Sequence, residues 1–149
     1  MPSVLLLNGP NLNLLGTREP EIYGSETLED LNALCKRRAK ALGISLVCQQ
    51  SNWEGQLIDW THEARGVHEG IIINPGALTH TSIGLLDALK GVNLPVIEVH
   101  ISNIHRRESF RHQSYVSQAA VGVICGLGRQ GYFLAMDAMA NVLNSEQEL

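Results

Sequence analysis

The sequence predicts an α/β protein, a doubly wound sandwich around a five-stranded parallel sheet, and three observations carry that prediction. Short apolar runs rich in branched residues recur along the chain, patterns of helical period lie between them, and two of the runs stop at an Asn-bearing turn. The plainest run is Gly70-Ile-Ile-Ile-Asn-Pro-Gly76, whose consecutive isoleucines show no polar alternation and so suit a strand covered on both faces. In such sheets ligands collect outside the carboxyl ends of the strands. Asn74 and His80 stand just past this end and are the first candidates for a site.

In chain order, Val4-Leu-Leu-Leu7 is the first strand, closed by Asn8-Gly9-Pro10. Residues 8–25 carry neither period, and a loop of that length in a compact domain is usually functional or disordered. Thr27 has the character of an N-cap with Asp30 three positions on, and Leu28, Leu31, Leu34, Cys35 and Leu42 form the apolar stripe of a helix that Gly43 ends. Residues 44–48 make the second strand, and Leu57, Ile58, Thr61 and Ala64 share one face of the next helix, which Gly66 ends. After the third strand, Thr79-His-Thr-Ser82 leads into a helix whose pattern is Ile83, Leu86 and Leu89. Pro95 opens the fourth strand, Val96-Ile-Glu-Val-His100, where its missing donor does least harm. Alternation along that strand puts Glu98 and His100 on the same side. Residues 101–119 are polar and basic and read as loop with a short helix, 120–125 are the fifth strand, and Phe133, Met136, Ala140 and Leu143 mark the last helix. The expected topology is the flavodoxin-like order 2-1-3-4-5. It sets the loop after Asn8 and the turn after Asn74 on opposite walls of one crevice.

A length of 149 residues suits one domain over residues 1–149, with neither repeat nor linker. A domain of this size buries roughly 68 to 70% of its unfolded surface, enough for a core without staples. The hydrophobic fraction of 44% and charged fraction of 17% are globular values. No apolar run reaches the ~20 residues of a membrane span, and the start lacks the basic flank and apolar stretch of a signal peptide, so a cytoplasmic protein is expected. Cys35, Cys48 and Cys125 are odd in number and far apart, as reduced core thiols are. A net charge of −4 argues against a general nucleic-acid binder.

The loop after the first strand carries Asn11, Asn13, Arg18 and Tyr23. A loop tyrosine ordinarily packs its ring and a loop arginine is ordinarily solvated. A phenol titrates near ~10, however, and a fixed positive charge beside it favours its ionised form, so Arg18 and Tyr23 together could make an activated base. Glu98 beside His100 is either a structural salt bridge or a carboxylate that fixes one imidazole tautomer and favours its protonated form, as a general acid requires. The six histidines show no HExxH or similar spacing, so no metal is expected. Gly126-Leu-Gly-Arg-Gln-Gly131 matches GxGxxG, but no strand with a closing acidic residue follows, and helix-start packing is the better reading. Arg106, Arg107 and Arg111 with His105 and His112 would ordinarily be a solvated basic face, but their position just beyond the fourth strand favours a small anionic ligand. Lys36, Lys40 and Lys90 all fall on helical stretches, so no lysine stands at a strand end to form a Schiff base.

Over nearly its whole length the chain resembles the type II 3-dehydroquinate dehydratases, the type II dehydroquinases of the shikimate pathway. The likeness runs through Leu7-Asn-Gly-Pro-Asn-Leu-Asn-Leu-Leu-Gly16 with Arg18 and Tyr23-Gly24, and Ile73-Asn-Pro-Gly-Ala77 with Thr79-His-Thr-Ser82 and Asp87. It continues in Pro95-Val-Ile-Glu-Val-His-Ile-Ser102 with Arg107-Glu108 and Phe110-Arg-His112, then Gly126-Leu-Gly128 and Gly131-Tyr132. Leu78 and Arg106 depart from the aromatic and small residues more usual there. The resemblance implies anti elimination of water from 3-dehydroquinate through an enolate, with no metal or organic cofactor. It implies Tyr23 as base, Arg18 as its activator, Asn11 holding a water on the enolate oxygen, and His100, oriented by Glu98, as acid. Asn74 and the amides of Ile101 and Ser102 would take the substrate carboxylate, and His80 and Arg111 the ring hydroxyls. Asp87 would reach an adjacent subunit of a dodecamer of four trimers, with neither nucleic acid nor membrane as partner. Two rivals fit less well. An FMN module needs a hydroxyl-rich loop in residues 8–16, and a receiver domain needs acidic residues where Asn8 and Asn74 stand.

Overall fold

The computed structural model describes residues 1–17, 21 and 24–148, with side chains to residue 145. Strands β1 (Ser3–Asn8), β2 (Ser45–Gln50), β3 (Gly70–Asn74), β4 (Val96–His100) and β5 (Gly122–Cys125) form one parallel sheet in the order β2-β1-β3-β4-β5, as expected. Helices α1 (Leu28–Ala41) and α4 (Gln130–Glu148) cover one face, and α2 (Glu54–Glu63) and α3 (Ile83–Val92) the other. The alternation of β1 divides the core accordingly. Val4 and Leu6 pack with Leu31, Cys35 and Met136, while Leu5 and Leu7 pack with Leu57, Leu85 and Leu89.

Local chemistry starts the helices where the sequence places them. Thr27 Oγ1 accepts from the Asp30 N–H at 3.1 Å and Asp30 Oδ2 accepts from the Thr27 N–H at 3.0 Å, a reciprocal cap on α1. The Ser82 hydroxyl caps α3 through the Leu85 N–H at 2.9 Å, and Asn93 ends that helix in the left-handed conformation, φ 55°. Two expectations need correcting. Ile83 lies at the very start of α3 and is 55% exposed, so the buried stripe is Leu85, Leu86, Ala88, Leu89 and Val92. Residues 101–119 hold three short 3-10 turns (Ile104–Arg106, Ser109–Arg111 and Val116–Ala119) in place of one helix, because local side-chain bonds from Asn103 and Ser114 and a backbone bond from Tyr115 to Thr79 fix this segment piece by piece.

The central pair of turns packs backbone on backbone. The Gly9 N–H donates to the Asn74 carbonyl at 2.7 Å. A Cβ on Gly9 would stand 2.4 Å from the Pro75 oxygen, and one on Gly76, whose φ is +60°, would stand 2.9 Å from the Pro10 oxygen. All three cysteines are free, and burial pushes the Cys35 thiol up to about 12 and the Cys48 thiol up to about 11, which leaves both unreactive near neutral pH. Among the described residues no helix is long and apolar enough to cross a membrane.

Candidate active site

At the carboxyl end of β4, Glu98 is fully buried and His100 is 5% exposed. They project from the same side of the strand, toward the α2/α3 layer, and the imidazole Nε2 donates to Glu98 Oε2. Its other ring nitrogen has no hydrogen-bond partner among the described residues. The carboxylate is saturated by hydroxyls from outside its own strand. Thr79 Oγ1 donates to Oε2 at 2.8 Å, Ser117 Oγ donates to Oε1 at 2.6 Å, and Ser114 Oγ bridges both oxygens at 3.1 and 3.0 Å. Burial raises the Glu98 pKa, but the bonds from His100, Ser117 and Thr79 and the His100 charge outweigh it, and the net direction is down. An ionised carboxylate fixes which imidazole nitrogen carries the proton facing it, so the pair is arranged for proton transfer at the other nitrogen.

The neighbouring turns are zipped together around this pair. His80 Nδ1 meets the Gln113 carbonyl at 2.8 Å, and the Tyr115 N–H donates to the Thr79 carbonyl at 2.7 Å. Behind β4 the glycine loop after β5 grips the chain that leaves His100. The Gly126 N–H donates to the carbonyls of His100 and Ser102, and the Gly128 N–H to that of Ile101. Gly126, Leu127 and Gly128 all have positive φ, at 81°, 69° and 58°, which turns successive amides the same way. A Cβ on Gly131 would press 3.3 Å from Val99, so this glycine serves helix packing, as the sequence indicates. The carbonyls of Ile101 and Ser102 are thus occupied, while among the described residues their N–H groups donate to no protein acceptor.

On the other face, Asn74 and Asn8 lie side by side in the β1–β3 register and meet one buried phenol. Asn74 Nδ2 donates to the Tyr132 hydroxyl at 2.8 Å, and that hydroxyl donates to Asn8 Oδ1 at 2.6 Å. Asn74 Oδ1 accepts from the Gly76 N–H at 3.1 Å, so one Asn74 N–H remains uncommitted within the described residues. Asn11 starts the 3-10 turn Leu12–Leu14 with φ 72° and donates its N–H to Asn52 Oδ1 at 2.9 Å, and Gln50 Nε2 binds the same Asn52 oxygen at 3.2 Å.

The remaining candidates scatter. Arg111 is half-buried, donates Nε to Glu108 Oε2 at 2.6 Å and lies over the Phe110 ring. Asp87 is exposed on α3, Ser102 is exposed and Ile101 half-buried. The expected base and its activator, Tyr23 and Arg18, lie outside the described residues. Lys36 and Lys40 are on α1 and Lys90 is on α3, all exposed. Among the described residues no three His, Cys, Asp or Glu side chains converge as a metal site requires. Sequence reading missed Thr79, Ser114 and Ser117 around Glu98, Tyr132 between the asparagines, and Gln50 with Asn52 under Asn11. Thr79 and Tyr132 stood in the Thr79-His-Thr-Ser82 and Gly131-Tyr132 motifs without a role, and no motif signalled the others.

The family model described as Dehydroquinase class II matches residues 2–140. Among curated relatives, the chain is 58% identical over 146 residues to the 3-dehydroquinate dehydratase of Ruegeria pomeroyi, covering 98% of each. It is 58% identical over 148 residues to the catabolic 3-dehydroquinase 2 of Aspergillus flavus, covering 99% of each. The crystal structure of the type II dehydroquinase from Propionibacterium acnes superimposes with a TM-score of 0.89 at 44% identity, over 95% of this chain and 97% of that one.

Proposed function

The chain belongs to the class II dehydroquinases and is a 3-dehydroquinate dehydratase, and on that premise we propose the part each residue takes in the shikimate-pathway reaction. Tyr23, held ionised by the Arg18 charge, removes the proton beside the ketone, and the electron pair moves onto the ketone oxygen as an enolate. Asn11 holds a water against that oxygen. As the enolate collapses the hydroxyl on the opposite face departs, taking a proton from His100, and leaves as water. Neither a metal, an organic cofactor nor a Schiff base enters the scheme. The substrate carboxylate lies against the N–H groups of Ile101, Ser102 and Asn74 that have no acceptor among the described residues, and His80 and Arg111 take ring hydroxyls.

The observation that carries this reading is the buried Glu98–His100 pair at the end of a central strand, with one imidazole nitrogen committed to a saturated carboxylate and the other without a partner among the described residues. The backbone brace from Gly126 and Gly128 supports the carboxylate subsite, because it fixes the carbonyls while leaving two adjacent donors. An acidic residue on an exposed helix face, Asp87, and the exposed Val121, Val123 and Leu127 beside the open edge of β5 support contact with further copies. The assembly proposed is a dodecamer of four trimers, with Asp87 reaching the neighbouring site, and three free thiols fit a cytoplasmic setting.

Addition of 3-dehydroquinate should raise the ultraviolet absorbance of a conjugated enone, and His100→Ala should abolish most of that rise. A wild-type chain that leaves the substrate unchanged, or a His100→Ala variant at full rate, overturns the assignment. Light scattering should give the mass of twelve chains of 16.3 kDa each. A monomer of full activity would remove Asp87 from the scheme.

A further inference from the structure

We propose that Thr79, Ser114 and Ser117 are positioning residues that keep the shared proton of the Glu98–His100 pair on the imidazole. The proposal rests on the reading of His100 as the acid. A buried carboxylate facing a buried imidazole can hold that proton in either place, and burial alone favours the neutral arrangement because it penalises both charges. What opposes burial here is a set of donors from two separate segments. Thr79 comes from the turn after β3, and Ser114 and Ser117 from the segment before β5.

The proton count makes the bias specific. The Ser117 N–H donates to Ser114 Oγ at 3.0 Å, which supplies that oxygen with a donor and turns its own proton toward the carboxylate. Thr79 Oγ1 lies 2.6 Å from Ser114 Oγ, so one of these two hydroxyls donates to the other and the pair delivers one proton directly to Glu98, whichever way it runs. None of the three hydroxyls ionises near neutral pH, and the two protons they turn on Glu98, one from Ser117 and one from the Thr79–Ser114 pair, make bonds roughly twice as strong to a charged oxygen as to a neutral one. If Glu98 took the proton, every one of these bonds would weaken together. Titratable groups around the carboxylate are His100 on its own strand, His80 on the Thr79 turn with Nδ1 bound to Gln113, and Cys125 on β5. The Cys125 thiol is raised by burial and then by the Glu98 charge. The hydroxyls are therefore the neutral donors that tip the balance.

The test uses the unliganded enzyme labelled with 15N-histidine and 13C-glutamate. In Ser117→Ala the Glu98 carboxyl midpoint should rise by about one pH unit, a tenfold gain in proton affinity. The His100 nitrogen shifts at fixed pH should move toward those of the neutral ring, kcat should fall severalfold with KM little changed, and Ser117→Thr should restore all three. Thr79→Val is read in the same way if Ser117→Ala does not fold. Folded variants whose carboxyl midpoint and imidazole shifts match the wild type would overturn the proposal and leave the hydroxyls as loop fasteners. The titration needs no substrate. A wild type without dehydratase activity would sink the functional reading, whereas unmoved resonances in an active enzyme would sink this inference alone.

Discussion

Replacing Glu98 by glutamine separates charge from shape at the acid. The side chain keeps its length and one acceptor oxygen, which remains opposite His100 Nε2, while the new amide faces Ser117 and Ser114, whose hydroxyls can rotate to accept. Bonds to a charged oxygen contribute about 1.5–3 kcal/mol and neutral ones about 0.5–1.5. Thr79 and Ser114 spend one of their two hydroxyl protons on each other at 2.6 Å, so the direct donors to Glu98 are His100, Ser117 and one of that pair, and each loses ~1 kcal/mol. Against this stands relief of the several kcal/mol that a fully buried charge costs. These terms nearly cancel, so urea unfolding at neutral pH should show a net change within ~2 kcal/mol. The rate should not be spared. A general acid contributes ~10²–10⁴-fold, and loss of the carboxylate charge that favours the imidazolium should lower kcat by at least ~10². KM should stay within about threefold, because Glu98 is sealed from any substrate. The measurement is initial rate from enone absorbance over a pH series, alongside the unfolding curve. A stably folded Glu98→Gln enzyme with kcat near wild type would show that the charge of this carboxylate has no catalytic part.

Further expectations follow from the same network. Tyr23→Phe should lose at least ~10²-fold in turnover, and Arg18→Ala should move the acidic limb of the pH-rate profile upward; an active phenylalanine variant or an unmoved limb would reassign the base. Tyr132→Phe leaves Asn74 Nδ2 and Asn8 Oδ1 without their partner inside the protein, and should lower unfolding free energy by about 2 kcal/mol or more, read from urea midpoints. Glu98 has a depressed folded pKa, so its stabilising contribution is complete above its unfolded value near ~4.3 and is lost as pH falls below that through the folded value. The wild type should accordingly lose stability more steeply than Glu98→Gln in that acid window, and parallel curves would contradict the sign. Borohydride added with substrate should leave the enzyme active, since the lysines sit on helix surfaces, and covalent trapping at any of them would refute the enolate route.

Strand positions were legible as short unbroken apolar runs closed by turn residues, and the Glu98–His100 pair because side chains alternate along any strand. Alternation places Val96, Glu98 and His100 on one side of β4 whatever packs there. The hydroxyls around Glu98 were not legible, since Thr79 is 19 residues before the carboxylate and Ser114 16 after it, and no local rule joins them. Tyr132 was hidden for a related reason. Its ring reads as one more apolar helix position, and only the β1–β3 register shows that two asparagines converge on its hydroxyl. Ile83 failed in the opposite direction, because a periodic pattern cannot say whether the first turn of a helix has yet reached the sheet.

Where Gly9 packs on Pro75 and Gly76 on Pro10, the distance between the β1 and β3 turns is set by the absence of atoms, a gauge that no choice of side chain can widen gently. One methyl group at either glycine acts as a wedge beneath Asn8 and Asn74 and is transmitted to Tyr132. Redesign for a bulkier ring has no room at this floor. It must work through the stretch from Ile101 to Ser117, where short turns are fastened mainly by polar side chains and one fastening can be exchanged without prising the sheet apart.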